Sequence, residues 1–181
     1  ALEKLDLCAN SIGSTGCTAL ASAMSLGALS NLQELYLGSN RVGDAGMAAL
    51  AVAAEDGAMK DLLIFDVRSN SIGPKGIISF SRALAQNAWA LCKRLYLNTN
   101  MMGDAGMVTL CDSLSAGALG NVEKLWLASN QIGSVGIRAL STAIAAGELG
   151  SLEKLHMFGN KATSMTMMAL QEACRSRGIE L

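Results

Sequence analysis

The sequence predicts an α/β solenoid: stacked units, each a short strand followed by a helix, with a parallel sheet lining the concave face of a short curved arc. Three observations predict it. An asparagine returns every 30 residues without a slip, at Asn10, Asn40, Asn70, Asn100, Asn130 and Asn160. Ahead of each stands one apolar spacing: Leu2…Leu5…Leu7, Leu32…Leu35…Leu37, Leu62…Phe65…Val67, Cys92…Leu95…Leu97, Val122…Leu125…Leu127 and Leu152…Leu155…Met157. Behind each, apolar residues recur at helical spacing. Repetition at a fixed period of this length is the mark of a repeat architecture. The units run over about 2–31, 32–61, 62–91, 92–121, 122–151 and 152–181 of one domain spanning 1–181.

Within each unit the alternation over Leu5-Asp6-Leu7 is the period of a short half-buried strand. The asparagine that follows is polar among inward-pointing neighbours. A buried amide left unpaired costs about 1–3 kcal/mol, so each is expected to bond backbone groups of adjacent turns, forming a ladder. The helix comes next. Ser14, Asp44, Asp104, Ser134 and Ser164 share one column and are expected as N-caps. Pro74 fills that column in the third unit, where a first helical turn accepts it.

The inward helix faces are the trios Cys17, Leu20, Met24; Met47, Leu50, Ala54; and Ile77, Phe80, Leu84. Met107, Leu110, Leu114, then Ile137, Leu140, Ile144, then Met167, Leu170, Cys174 continue them at the same offsets. Gly27, Gly57, Asn87, Gly117 and Gly147 close the helices, being the residue types that best tolerate a left-handed conformation. Gly16 and its equivalents lie inside the helix pattern, where glycine costs up to about 1 kcal/mol relative to alanine. That recurring penalty points to close approach of the neighbouring coil.

Curvature follows from widths. Neighbouring strands sit about 4.8 Å apart, whereas helices with side chains need roughly 10 Å. Joining both in one unit bends the stack, strands on the inside. The sixth unit departs from pattern, with Ala162 in a column of larger apolar residues, Thr163 and Thr166 in two glycine columns and Arg177 in the glycine or asparagine column that closes the helices, and Ile179 and Leu181 alternate as in a last short strand. It reads as a cap. Ala1 leads straight into the first motif, so the leading edge is expected to be covered by a missing segment or by another chain.

The spacing L-x-x-L-x-L-x-x-N-x-I-G…G-x-x-x-L, in phase through six units, resembles the leucine-rich repeat proteins of the ribonuclease-inhibitor-like subclass. The resemblance covers the whole chain and implies a right-handed solenoid with strands inside and helices outside.

Composition narrows the function. Net charge is −1, with no basic block or acidic tail, which gives no electrostatic ground for nucleic acid or a charged membrane surface. No apolar run reaches the roughly 18–20 residues that would span a bilayer. The five cysteines lack CxxC spacing, and Cys17, Cys92 and Cys174 stand in apolar columns. Free thiols in the cytoplasm or another reducing compartment are expected. His156 is the single histidine, which argues against a multi-histidine metal site, and five strand steps separate it from Cys8. No phosphate loop or Gly-x-Ser-x-Gly motif occurs. No catalytic residue, cofactor or metal ligand is expected.

The residues that can carry function are those the repeat leaves free. The central outward column of the strands reads Asp6, Tyr36, Asp66, Tyr96, Trp126, His156. The column before it reads Lys4, Glu34, Ile64, Arg94, Lys124, Lys154, and the one after it Cys8, Gly38, Arg68, Asn98, Ala128, Phe158. Of two tyrosines and two tryptophans, three fall in the central column. Tyr, Trp and Arg dominate interface hot spots, so Tyr36, Asp66, Arg68, Arg94, Tyr96, Lys124, Trp126, Lys154, His156 and Phe158 are the candidate partner-binding residues. The competing account is that these rings merely stack on one another across strands. The expected function is a non-catalytic protein–protein interaction module. The alternatives are a regulator of the GTPase-activating type, which the resemblance implies, and a structural solenoid in a large assembly.

Overall fold

A computed structural model describes residues 2–181. Six strands alternate with six helices in chain order: β1 Lys4–Asp6, α1 Ser14–Ser25, β2 Glu34–Tyr36, α2 Gly43–Glu55, β3 Ile64–Asp66, α3 Pro74–Ala85. The order continues with β4 Arg94–Tyr96, α4 Gly103–Leu114, β5 Lys124–Trp126, α5 Ser134–Ala146, β6 Lys154–His156 and α6 Ser164–Ser176. The strands form one parallel sheet in sequential order, and each residue pairs with the residue 30 positions on, Leu5 with Leu35 and Leu35 with Phe65. Each helix packs on its neighbours in sequence. A 30-residue period in sequence is thus an in-register ladder in space.

The core lies between sheet and helices. Leu35, Phe65, Leu95, Leu125 and Leu155 contribute from the strands, and Met47, Ile77, Met107 and Ile137 face them from the helices. The large side chains concentrate in the third unit, where Phe65 stacks on Trp89 at 5.3 Å and Phe80 lies 4.9 Å from the same indole. In the first unit Leu5, Leu7, Ile12 and Leu20 are only partly buried. Their equivalents in the interior units are buried because coils flank them on both sides.

The asparagine ladder is present and explains the tight turn after each strand. Asn100 Nδ2 donates to the carbonyls of Val67 (3.0 Å) and Leu97 (2.9 Å), and its Oδ1 accepts from the amides of Asn70 and Ile72 (3.0 Å each). Asn40, Asn70, Asn130 and Asn160 each donate across to the preceding unit in the same way. The residue just before each asparagine has positive φ: Ala9, Ser39, Ser69, Thr99, Ser129 and Gly159, at 53–71°. Left-handed backbone costs a residue other than glycine roughly 1–2 kcal/mol. The amide bonds on either side hold it there.

Helix ends divide into one expectation met and one corrected. The closing column adopts positive φ throughout, at Gly27, Gly57, Asn87, Gly117 and Gly147. In the sixth unit Arg177 has φ −106°, and Gly178 takes the left-handed position one residue later. The N-cap assignment to Ser14, Asp44, Asp104, Ser134 and Ser164 does not hold: each lies inside its helix, and the caps are Gly13, Val42, Gly73, Met102, Gly133 and Thr163.

The aspartates cap the next helix instead of their own. Asp44 Oδ1 accepts from the amides of Gly73 (2.6 Å) and Gly76 (2.9 Å), and Asp104 Oδ1 from Gly133 (2.8 Å) and Gly136 (2.7 Å). Ser134 Oγ accepts from the Thr163 amide at 3.1 Å. This also accounts for the glycines within the helices. A Cβ on Gly136 would sit 2.7 Å from Ile132, 2.9 Å from Met107 and 3.0 Å from the capping Asp104 oxygen.

The chain closes by lengthening the sheet: the Leu155 amide donates to the Glu180 carbonyl (2.8 Å), and Ile179 is buried beside it. Among the described residues no helix is long and apolar enough to cross a membrane.

Candidate functional site

Outward side chains of consecutive strands stand in files, because the ladder is parallel and in register. Tyr96, Trp126 and His156 are one such run, and strands about 4.8 Å apart bring flat rings face to face. Tyr96 and Trp126 stack with centroids 4.1 Å apart and planes 13° apart, and Trp126 and His156 at 5.2 Å and 19°. Stacked pairs contribute about 0.5–1.5 kcal/mol beyond burial, so the stack holds itself in one geometry. All three residues stay part-exposed. The rings do stack across strands, and they keep an open margin while doing so. Burial, aided by Lys154 and opposed by Glu180, holds the His156 imidazole below its ordinary value.

Asp66 and Ile64 interrupt the expected surface. Both outward positions of β3 are buried, Asp66 to 1% exposure. The reason lies in its neighbours: Tyr36 and Tyr96 flank Asp66 in the file, and Arg68 folds back over it. The Arg68 amide donates to Asp66 Oδ1 (3.0 Å), and its Nε lies 3.4 Å from Oδ2. Gly38 provides the room, since a Cβ there would come within 3.1 Å of Arg68 Cγ and Nε. Desolvation by burial raises the Asp66 carboxyl above its usual range, against the opposing pull of the Arg68 amide and guanidinium. Arg68 also lies 6.0 Å from the Tyr96 ring centroid. Asp66 is therefore a buried anchor for Arg68, with no surface of its own for a partner.

Tyr36 stands apart from the stack, on the far side of Asp66. Its hydroxyl donates to Glu34 Oε2 (3.0 Å), Lys4 Nζ lies 4.9 Å over its ring, and Lys4 pairs with Glu34 at 3.4 Å. Burial first, then the Glu34 hydrogen bond, push the phenol up to about 12. At the other end Phe158 is 71% exposed.

The cations differ in how they are engaged. Lys154 pairs with Glu180, and Lys93 with Glu123 at 2.8 Å. Among the described residues, Arg94 and Lys124 have no carboxylate within ion-pair distance. They are register neighbours on β4 and β5, directly beside Tyr96 and Trp126. A hollow next to Arg94 is lined by Glu34, Leu63, Ile64, Lys93, Arg94 and Glu123.

The structure thus brings Arg94, Tyr96, Lys124, Trp126, Lys154, His156 and Phe158 onto one half of the face, with the Asp66–Arg68 pair at its border against Tyr96 and Tyr36 beyond that pair. Sequence reasoning missed Lys93, Glu123 and Glu180. Lys93 and Glu123 were recoverable, as opposite charges 30 residues apart in a register-paired column. Glu180 was not, because its place depends on how the chain end folds back. Among the described residues no cluster of three or more His, Cys, Asp or Glu could hold a metal ion.

Comparison with known families gives three matches to the family described as leucine-rich repeat, at residues 28–51, 58–81 and 121–141. Those matches fall in the same 30-residue phase as the strand–helix units. The three matches and the six strand–helix units together support a leucine-rich repeat protein. Such repeats generally mediate protein–protein interaction. No curated protein matches the sequence. The repeated positions of each unit are consumed by the ladder and the core, which leaves the outward strand positions free to differ from unit to unit.

Proposed function

We propose that this leucine-rich repeat chain is a non-catalytic protein-binding module whose partner lies along the concave strand face. One observation carries the reading: a three-ring stack, Tyr96–Trp126–His156, sits part-exposed on the open sheet face with Phe158 exposed beyond it. Rigid aromatics give large contact area at low entropic cost, which is why they dominate interface energetics. The module works in the cytoplasm or another reducing compartment; five free cysteines support this, four of them buried.

The test is partner capture by the immobilised chain and by Trp126→Ala. Loss of a dominant partner is expected, with capture falling at least tenfold. Stability should fall by what the two stacks contribute, about 1–3 kcal/mol, and circular dichroism checks that the variant is folded. An unchanged partner set would overturn the concave reading.

A further inference from the structure

We propose that the concave face recognises an acidic, extended segment of its partner, a carboxylate two residues away from an apolar or aromatic side chain. The inference rests on the concave reading above and adds the chemistry of the ligand. It starts from an asymmetry in how the cations are engaged. On the first half of the face every cation is already engaged, Lys4 with Glu34 and Arg68 with the buried Asp66. On the second half Arg94 and Lys124 stand side by side without a carboxylate of their own. What distinguishes this half is the placement of these two cations and not its net charge, since Lys93, Arg94, Lys124 and Lys154 lie among Glu34, Glu123, Glu153 and Glu180.

Spacing supplies the second half of the argument. Outward positions two residues apart on a strand are about 6.6 Å apart, which is the separation of the Arg94–Lys124 pair from the Tyr96–Trp126 pair along β4 and β5. Same-face side chains of an extended peptide repeat at that same interval of about 6.6 Å. A peptide lying along the strands, in either direction, therefore sets a carboxylate between the two cations and its next same-face side chain on the ring stack.

The apolar wall of Leu63 and Ile64 beside Arg94 lowers the local dielectric, which strengthens the ion pair. A nucleic acid fits less well. It carries a charge at every nucleotide, and only two unengaged cations stand here, with Glu34, Glu123 and Glu180 close by.

The experiment is a random-peptide phage selection on the intact chain, with Arg94→Ala/Lys124→Ala and Trp126→Ala as parallel baits. Circular dichroism and thermal unfolding confirm that each bait is folded. Selected peptides are expected to carry Asp or Glu two residues from an aromatic or aliphatic. Replacing that acid by Asn or Gln, or using the double variant, should weaken binding at least tenfold, and raised salt should weaken it further.

Peptides that lose binding on Trp126→Ala but not on the double variant, or that lack the acid, overturn the charge proposal and leave the concave reading standing. Peptides indifferent to all three baits, or no enrichment at all, overturn the proposal, and indifference sinks the concave reading as well. A fluorescent oligouridylate that binds the chain and is lost on the double variant would assign the face to RNA and refute the proposal.

Discussion

Replacing an asparagine of the ladder by alanine should be far more severe in its interior than at its first rung, although the residue, the motif and the substitution are identical. Asn100 is 5% exposed and makes four well-formed bonds to backbone groups: to Val67 and Leu97 as donor, from Asn70 and Ile72 as acceptor. Asn100→Ala leaves the Asn70 and Ile72 amides buried without partners, whereas the carbonyls of Val67 and Leu97 each lose one of two donors and keep Asn70 and Asn130. At about 1 kcal/mol of net stability for each ordinary hydrogen bond, the loss is about 4 kcal/mol, reduced where water can enter.

Asn10 is exposed and donates only within its own turn, to the carbonyls of Leu7 (2.9 Å) and Cys8 (3.1 Å). Water replaces both bonds in Asn10→Ala, so the expected cost is below about 1 kcal/mol. Urea unfolding followed by circular dichroism reads the difference directly, provided the slope is unchanged between variants. Equal midpoint shifts would show that the motif acts locally within each turn, and that the ladder between turns contributes nothing.

Two further expectations follow from the same geometry. Gly136→Ala should destabilise by more than the gain of about 1 kcal/mol in helix propensity, because its Cβ meets Met107 and Asp104 of the preceding unit as well as Ile132. Gly16→Ala meets only Ile12 Cγ2, at 3.1 Å, and should be near neutral or stabilising; a thermal shift of the same size at both sites would refute the close-approach account. Asp66→Asn tests the buried carboxylate. The folded carboxyl holds its proton more tightly than the unfolded one, so its contribution is fully present below the ordinary value of 3.8 and is lost as pH rises through the raised folded value. The asparagine variant should therefore gain stability relative to the parent between those two values and keep that gain up to pH 7, with Arg68 NH still bonded. A deficit that grows with rising pH would contradict it.

Much of the fold was legible because it is written by contacts at one fixed separation. Strand pairs join residues 30 apart, ladder bonds join residues 28 to 33 apart or within one turn, and each core trio lies on one helix, so column reading captures them. The helix-start aspartates show where this fails. Asp44 and Asp104 have the right chemistry for caps, but which helix they cap depends on the approach of the next coil, a distance no single unit contains. Positive φ at Ser39, Ser69 and Thr99 left no trace, since the amide that enforces it belongs to the residue after.

The candidate face divides along the same line. Sequence alone determined that Tyr36, Tyr96, Trp126 and His156 share one outward file, because period and alternation fix which face a strand residue occupies. It also determined that the ladder positions are spent on architecture. Only the tertiary structure decided that Tyr96, Trp126 and His156 stack while Tyr36 does not. Asp66 sits between them, and a carboxylate hemmed by two phenols needs Arg68 folded over it. Only the structure separated the engaged cations from Arg94 and Lys124, since Glu180 reaches Lys154 from the far end of the chain. Position on a face is a property of the repeat; pairing across it depends on side-chain length, reach and competition for the same neighbour.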